Sequence, residues 1–277
     1  MAPDHEKAAR DLLRFYADAG VDALVGEEPV DRFAEPAAAQ TQAPAPAAAP
    51  LAERRPLAMT AASASRMPAP AIAAPPPPEE AVMAAREAAK KAATLDDLRA
   101  ILERFEGCAL RTTAKRLVFA DGDPKARLML VGEAPGREED IEGLPFVGRS
   151  GKLLDLMLKA IGIDRMQVYI ANIVPWRPPG NRDPSLHETS ICLPFIQRQI
   201  ELVDPQILVC LGKPSAATLL GVTDGIRKTR GRWLTYRNGA NEIRAMPTFH
   251  PAYLLRSPLE KRFAWRDFLA IKKALAG

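Results

Sequence analysis

The chain has 277 residues and three cysteines, an odd number at wide spacing, which argues against a small secreted protein built on disulfides. Residues 1–95 carry 10 Lys and Arg against 13 Asp and Glu, whereas residues 96–277 carry 28 against 21, a net +7 that suits a polyanionic partner. No stretch reaches the roughly 18 consecutive apolar residues of a membrane span, so we expect no membrane partner and a cytoplasmic location.

Two N-terminal segments precede the region that we expect to fold. Residues 1–25 predict a short amphipathic helix whose binding partner is unknown. Residues 26–93 are rich in Ala and Pro and predict a largely disordered linker, although 79–93 has a helical pattern by itself. A capping box from Thr94 to Asp97 opens the next helix, so the folded domain is predicted to span 94–277.

Strands and helices alternate along this domain. Strands are predicted at 117–119, 128–131, 168–173 and 207–211, with a hairpin formed by 233–237 and 243–249. Helices are predicted at 94–105, 151–161, 185–203, 214–220 and 258–275. This order predicts an α/β fold with a largely parallel sheet that is covered on both faces.

The loop from Gly132 to Gly148 follows an apolar strand and carries several acids, among them Glu133, Glu139 and Asp140. Carboxylates repel phosphate, and the loop lacks the pattern of a phosphate-binding P-loop, so we do not expect a nucleotide there. The acids could orient a water molecule or cap the following helix, and the sequence leaves both roles open.

Two further polar residues follow predicted strands. Asn172 can present a donor and an acceptor together, as the reading of a base edge requires, although a strand-end Asn is also a common turn former. His250 can donate a hydrogen bond to developing negative charge, although a single histidine is often structural. Arg230 and Arg232 belong to a basic cluster that would suit either phosphate contacts or a solvated surface.

Four motifs occur in order within roughly residues 100–270. They are Gly132-Glu133-Ala134-Pro135-Gly136, the segment Gly143–Gly148, Asn172 ahead of Arg177–Arg182, and the segment His250–Arg256. Together they resemble the motifs of family 4 uracil-DNA glycosylases. The resemblance implies a three-layer α/β/α sandwich with a central four-stranded, mainly parallel sheet. It also implies hydrolysis of the bond between uracil and deoxyribose in DNA, which leaves an abasic site in base-excision repair and requires the base to be flipped out.

The resemblance also implies roles for individual residues. Gly132, Glu133 and Ala134 would line the uracil pocket, Phe146 would stack on the flipped base, and Asn172 would hydrogen-bond its Watson–Crick edge. His250 would stabilise the charge on the leaving uracil, and Glu133 or Glu139, with Asp140 a weaker candidate, would orient the attacking water. Leu254, Leu255 and Arg256 would form the loop that enters the DNA.

Members of this family hold a [4Fe–4S] cluster on four cysteines. Cys108 and Cys192 match two of these positions, whereas Phe105 and Trp176 stand at the other two, and Cys210 lies in an apolar strand. Two thiolates do not supply four ligands, so we expect the cluster to be lost, with no metal and no cofactor.

Two alternatives to a uracil-DNA glycosylase remain open at this stage. One is a non-catalytic DNA-binding module on the same fold. The other is a glycosylase for a different deaminated base, such as hypoxanthine or xanthine. In each case the expected partner is DNA and the expected state is a monomer.

Overall fold

A computed structural model describes residues 78–238 and 241–276. The predicted N-terminal helix, 1–25, and most of the predicted linker, 26–93, lie outside these residues. The described chain begins with helices α1 (Pro78–Lys90), α2 (Leu95–Arg104) and α3 (Leu110–Thr113). The capping box that opens α2 is confirmed, since the Thr94 hydroxyl accepts from the backbone N–H of Asp97 and the Asp97 carboxylate accepts from that of Thr94.

Helix α1 belongs to the folded domain. Ala81, Ala85 and Ala89 recur every four residues along one face and are buried in the core, where α1 packs against the long helix α6 (Leu186–Val203). Small side chains allow two helices to approach closely, and this contact stabilises a segment with little apolar bulk. The folded domain therefore extends back at least to Pro78, one helix further than the start predicted at residue 94.

The sheet has six strands: β1 (Asp121–Gly122), β2 (Leu128–Gly132), β3 (Tyr169–Asn172), β4 (Ile207–Leu211), β5 (Leu234–Asn238) and β6 (Asn241–Thr248). Their order is β1-β3-β2-β4-β6-β5. The four inner strands are parallel, and β1 and β5 pair antiparallel at the two edges. The expected count of four strands is therefore wrong, because it omits these two edge strands.

The helices lie in two layers, as the three-layer prediction requires. Met129 and Val131 of β2 belong to a core shared with α1, α2, α6 and α7 (Lys213–Leu220). Leu128 and Leu130 belong to a second core shared with α5 (Arg149–Ala160) and α10 (Lys261–Ala276). Alternate strand residues point to opposite faces, so both faces of β2 are buried.

Short elements complete the chain and include some that the sequence pattern did not predict. They are α4 (Arg137–Glu142), α8 (Ile226–Thr229) and α9 (Pro251–Arg256). The strand predicted at 117–119 is wrong: Val118 and Phe119 are buried, but the segment is irregular, and the edge strand β1 forms two residues later, at a predicted turn. Within the described ranges, no helix is both long and apolar enough to cross a membrane.

Candidate active site at the carboxyl edge of the sheet

The parallel strands bring the predicted site residues to one edge of the sheet. Gly132, the last residue of β2, pairs in register with Asn172, the last residue of β3. Next to them, the end of β4 pairs with Thr248 of β6, and His250 follows two residues later. A cleft of about 640 Å³ opens at this edge, and its lining includes Glu133, Ala134, Glu139, Phe146, Asn172, His250 and Arg256.

Asn172 lies on the floor of this cleft, and Gly132, which is not part of the lining, lies against the side chains of Asn172 and Phe146. A Cβ atom on Gly132 would clash with Asn172 Oδ1 and lie 2.7 Å from Phe146 Cζ, so no larger residue fits without displacing both groups. Asn172 is buried, and its Oδ1 has no hydrogen-bond partner within the described part of the chain. A buried acceptor of this kind costs free energy until a donor reaches it, which makes it a ready partner for a ligand N–H group.

The loop that carries Phe146 is held in an unusual conformation. Phe146 has a φ of 54°, in the left-handed region that large side chains rarely occupy. Arg165 donates to the carbonyl oxygens of Pro145, at 2.6 Å, and Phe146, at 3.0 Å, and forms ion pairs with Asp121 and Asp155. Arg165 was not predicted as a site residue, because it lies in a turn with no motif and acts through residues far away in sequence.

Glu139 is fully engaged by backbone groups. One carboxylate oxygen accepts from the N–H of Gly136 at 3.0 Å, and the other accepts from Val147 and Gly148, both at 3.1 Å. The side chain therefore both caps α4 and ties it to the Phe146 loop. The helix-capping alternative holds for Glu139, although the carboxylate also borders the cleft.

Asp140 also supports backbone structure. Its Oδ1 accepts from the N–H groups of Lys115 and Arg116, and its Oδ2 lies 3.8 Å from the Arg177 guanidinium. Its side chain is buried and is absent from the cleft lining.

Glu133 differs from both of these acids. It is half-buried in the cleft wall, and its carboxylate accepts no hydrogen bond from any described residue, although its backbone carbonyl oxygen accepts from the N–H of Val174. Burial raises the pKa of its carboxyl above the ordinary value, and the nearby charge of Asp183 raises it further. A carboxylate that is poorly solvated and unpaired is a stronger base than one that accepts three N–H groups.

His250 lines the same cleft as Glu133 and Glu139. Its ring stacks on Phe146, with ring centroids 5.4 Å apart and planes inclined by 30°. Its Nδ1 accepts the backbone N–H of Ala252 at 3.1 Å, which caps α9 and leaves the proton of a neutral ring on Nε2. Burial lowers the pKa of His250 to about 4, with a further contribution from Arg256, so the ring is neutral at neutral pH.

The structure separates the predicted DNA-contacting residues into two groups. Leu255 is half-buried and Arg256 is exposed, and both line a depression that adjoins the cleft. Arg232 is also exposed, but it lies outside both linings. Leu254 instead has 0% exposure and packs in a core with Phe249, so its placement at the DNA is wrong.

The predicted role of Arg230 in DNA binding is also contradicted. Its guanidinium forms a two-pronged ion pair with buried Asp267 and donates to the carbonyl oxygen of Phe263. Only 15% of its side chain is exposed. Thr248 donates to the same carboxylate, so this cluster secures α10 to the end of β6, just before His250.

The four positions expected to hold an iron–sulfur cluster contain two thiols and two aromatic rings. The Sγ atoms of Cys108 and Cys192 are 4.0 Å apart, and both residues are buried. Trp176 is buried in the same core. Phe105 packs against this core, with its ring edge-to-face on Phe195. This donor set does not fit a [4Fe–4S] cluster, because only two sulfur ligands are available and the residues at the other two positions, Phe105 and Trp176, have no group that ligates iron.

Comparison with known proteins gives a consistent result. Residues 119–269 match a family model described as the uracil DNA glycosylase superfamily. A type-4 uracil-DNA glycosylase of Saccharolobus solfataricus is 39% identical over 187 residues, which cover 66% of this chain and 87% of the relative. Relatives with the same name occur in Sulfurisphaera tokodaii, at 40% identity over 65% of this chain and 85% of the relative, and in Archaeoglobus fulgidus, at 36% over 64% and 92%.

Proposed function

Since the chain belongs to the uracil DNA glycosylase superfamily, we infer that it hydrolyses the N-glycosidic bond of deoxyuridine in DNA, releasing uracil and leaving an abasic site. The observation that carries this assignment beyond family membership is the buried Oδ1 of Asn172 on the floor of the cleft, which has no hydrogen-bond partner among the described residues. Uracil presents an N–H donor at N3, whereas cytosine presents a lone pair there, so this acceptor favours uracil.

Base recognition follows from the floor and wall of the cleft. The flipped uracil would stack on Phe146 and place its Watson–Crick edge against Asn172. Gly132 leaves room for both contacts because it has no side chain. Arg165 would act as a positioning residue by holding the carbonyl groups of the Phe146 loop.

His250 is proposed to stabilise the leaving group. As the glycosidic bond breaks, negative charge gathers on the uracil ring, and a donor aimed at it lowers the barrier. The hydrogen bond from Ala252 to Nδ1 directs the Nε2–H of the neutral ring outward as that donor. Because the pKa of His250 is lowered to about 4, this tautomer persists at neutral pH without competing protonation.

We assign the orientation of the attacking water to Glu133. Of the three candidate acids, Glu139 and Asp140 accept backbone N–H groups that they would have to release. The Glu133 carboxylate has no such partner among the residues that the structure describes, so it can accept a proton from water, and its raised pKa strengthens it as a base.

DNA is proposed to lie across the edge of the sheet that carries the cleft. Leu255 would enter the space left by the flipped base, and Arg256 would contact the backbone phosphates, with Arg232 as a more distant contact. Leu254 would support Leu255 from the core.

Other properties are also proposed. Residues 1–25 would form an amphipathic helix, and the Ala- and Pro-rich segment that follows would link it to the domain. We also propose that the protein is active without an iron–sulfur cluster, since the site has only two thiols. We propose a cytoplasmic location, which the odd cysteine count and the absence of a predicted disulfide framework support, and we propose that the protein is a monomer.

The test is uracil release from single- and double-stranded oligonucleotides, followed by alkaline cleavage of the abasic site. Asn172→Ala and His250→Ala should each lower the rate roughly 100-fold or more, because each removes a group that contacts the base. Gln206→Ala is the matched control, since its side chain binds Arg127 outside the cleft and the rate should be unchanged.

Substrates that carry hypoxanthine or xanthine distinguish a uracil-DNA glycosylase from a glycosylase for another deaminated base. Release of either base in preference to uracil would overturn the proposed specificity. Binding without release of any base would favour the non-catalytic DNA-binding module.

A further inference from the structure

Cys108 and Cys192 form a thiol pair that the glycosylase mechanism does not use. They are 84 positions apart in sequence, their Sγ atoms are 4.0 Å apart, and both residues are buried. Neither contributes to the lining of the cleft. Cys108 precedes the short helix α3, and Cys192 lies in the second turn of α6.

Disulfide formation would require a short movement of the two sulfur atoms. Bond formation requires an Sγ–Sγ separation near 2.05 Å, so the atoms would have to move about 2 Å closer. Cys192 is held in a regular helix, but Cys108 lies in a turn between half-buried Gly107 and exposed Ala109. A small opening of this turn would expose the Cys108 sulfur to a solute. When the turn closes again, the sulfur would return to its place beside Cys192.

We propose that Cys108 and Cys192 form a reversible intramolecular disulfide when the protein meets a disulfide oxidant such as oxidised glutathione. The Cys108 sulfur, as thiolate, attacks one glutathione sulfur, forms a mixed disulfide and releases one glutathione thiol. The Cys192 sulfur then attacks Cys108 and releases the second. Two protein thiols and one oxidised glutathione become one protein disulfide and two glutathione thiols, so two electrons and two protons pass to glutathione.

The bond would join the α2–α3 turn to α6 across a long stretch of chain. A crosslink over so many residues removes much of the freedom of the unfolded chain, so the oxidised protein should be more stable. The crosslinked end of α6 also supports the cleft, because Glu188 in its first turn holds Arg182 of the cleft wall. We expect the melting temperature to rise by about 5–10 °C on oxidation.

The experiment uses the full chain. The reduced protein is equilibrated with reduced and oxidised glutathione at graded ratios, quenched with acid and alkylated in denaturant with N-ethylmaleimide. Intact mass should show three alkylated cysteines under reducing conditions and one under oxidising conditions. Peptide mapping without reduction should recover the Cys108–Cys192 link, and iron analysis should find no cluster in the protein as purified.

Matched variants isolate the pair. Cys108→Ser and Cys192→Ser should each abolish both the link and the rise in melting temperature. Cys210→Ser should retain both, because Cys210 is an equally buried thiol on β4 outside the pair.

Several outcomes would overturn the proposal. Three alkylated cysteines at every glutathione ratio, a lasting mixed disulfide with glutathione, a link through Cys210, or a link between two chains would each do so. About four irons per chain would overturn it as well. These readouts do not depend on uracil release, so they remain decisive if the proposed activity fails.

Discussion

Glu133 and Glu139 show how the surroundings of a carboxylate decide what it can do. Both border the cleft and lie six positions apart. Glu139 accepts hydrogen bonds from three backbone N–H groups and stabilises the backbone, whereas Glu133 has no such partner among the described residues and has a raised pKa. Opposite roles therefore arise from the same side-chain chemistry.

This difference predicts distinct pH profiles. In the native protein, uracil release should fall as the pH drops through the raised pKa of Glu133, because the protonated acid no longer accepts a proton from water. His250, with a pKa of about 4, becomes charged only at lower pH. Glu133→Gln should lower the rate roughly 100-fold and remove this acid limb, as measured by single-turnover kinetics between about pH 5 and 8.

Glu139→Gln is the matched control. It should keep the acid limb but lower the free energy of unfolding by about 1–3 kcal/mol, because a backbone N–H loses its acceptor. An acid limb that disappears in Glu139→Gln and persists in Glu133→Gln would reverse the assignment.

At the scale of elements, α1 shows how a helix of small residues can still be part of a core. Ala85 has 0% exposure where α1 meets α6, whereas its neighbour Ala84 is exposed. Adjacent residues of α1 therefore differ in whether they face α6 or the solvent.

These two adjacent positions allow a matched test. Ala85→Glu should lower the free energy of unfolding by ~3 kcal/mol or more, because it buries an unpaired charge in the interface with α6. Ala84→Glu, the same change on the exposed face, should leave stability nearly unchanged. Chemical denaturation measures both variants, and equal stabilities would show that α1 does not pack as described.

At the scale of the whole molecule, charge is unevenly distributed. Residues 96–277 carry a net +7, and the exposed Arg256 lies beside the cleft. By contrast, Lys125 is an exposed cation in the turn before β2, at the opposite, amino edge of the sheet. Attraction of the DNA backbone to the cleft edge should therefore weaken as the salt concentration rises. It should also depend on cations beside the cleft and not on cations at the opposite edge of the sheet.

Binding of DNA should weaken linearly on a plot of log affinity against log salt concentration. Arg256→Ala should reduce the slope by about 1, because one phosphate contact is lost. Lys125→Ala should leave the slope unchanged. Fluorescence anisotropy with a labelled oligonucleotide measures the slopes, and an equal effect of the two variants would place the DNA elsewhere.

Most of the fold was predictable because its signals are local. The apolar runs of β2, β3 and β4, the capping box at Thr94 and the long helix that follows Ser185 can all be recognised within short windows. The edge strand β1 was not predictable, since two residues carry too little pattern and their pairing depends on β3. Helix α9 was also missed, because its six residues are too few for a periodic signal.

The sequence by itself determined which residues lie at the cleft edge of the sheet, since Gly132, Asn172 and His250 lie at or just after the ends of predicted strands, and the parallel order of those strands brings them together. The tertiary structure decided which side chains are available there. Leu254 and Arg230 face inward, Glu139 is bound by backbone groups, and Arg165 supports a loop about 20 positions away. Burial and hydrogen bonding depend on contacts between distant segments, and no local pattern encodes such contacts.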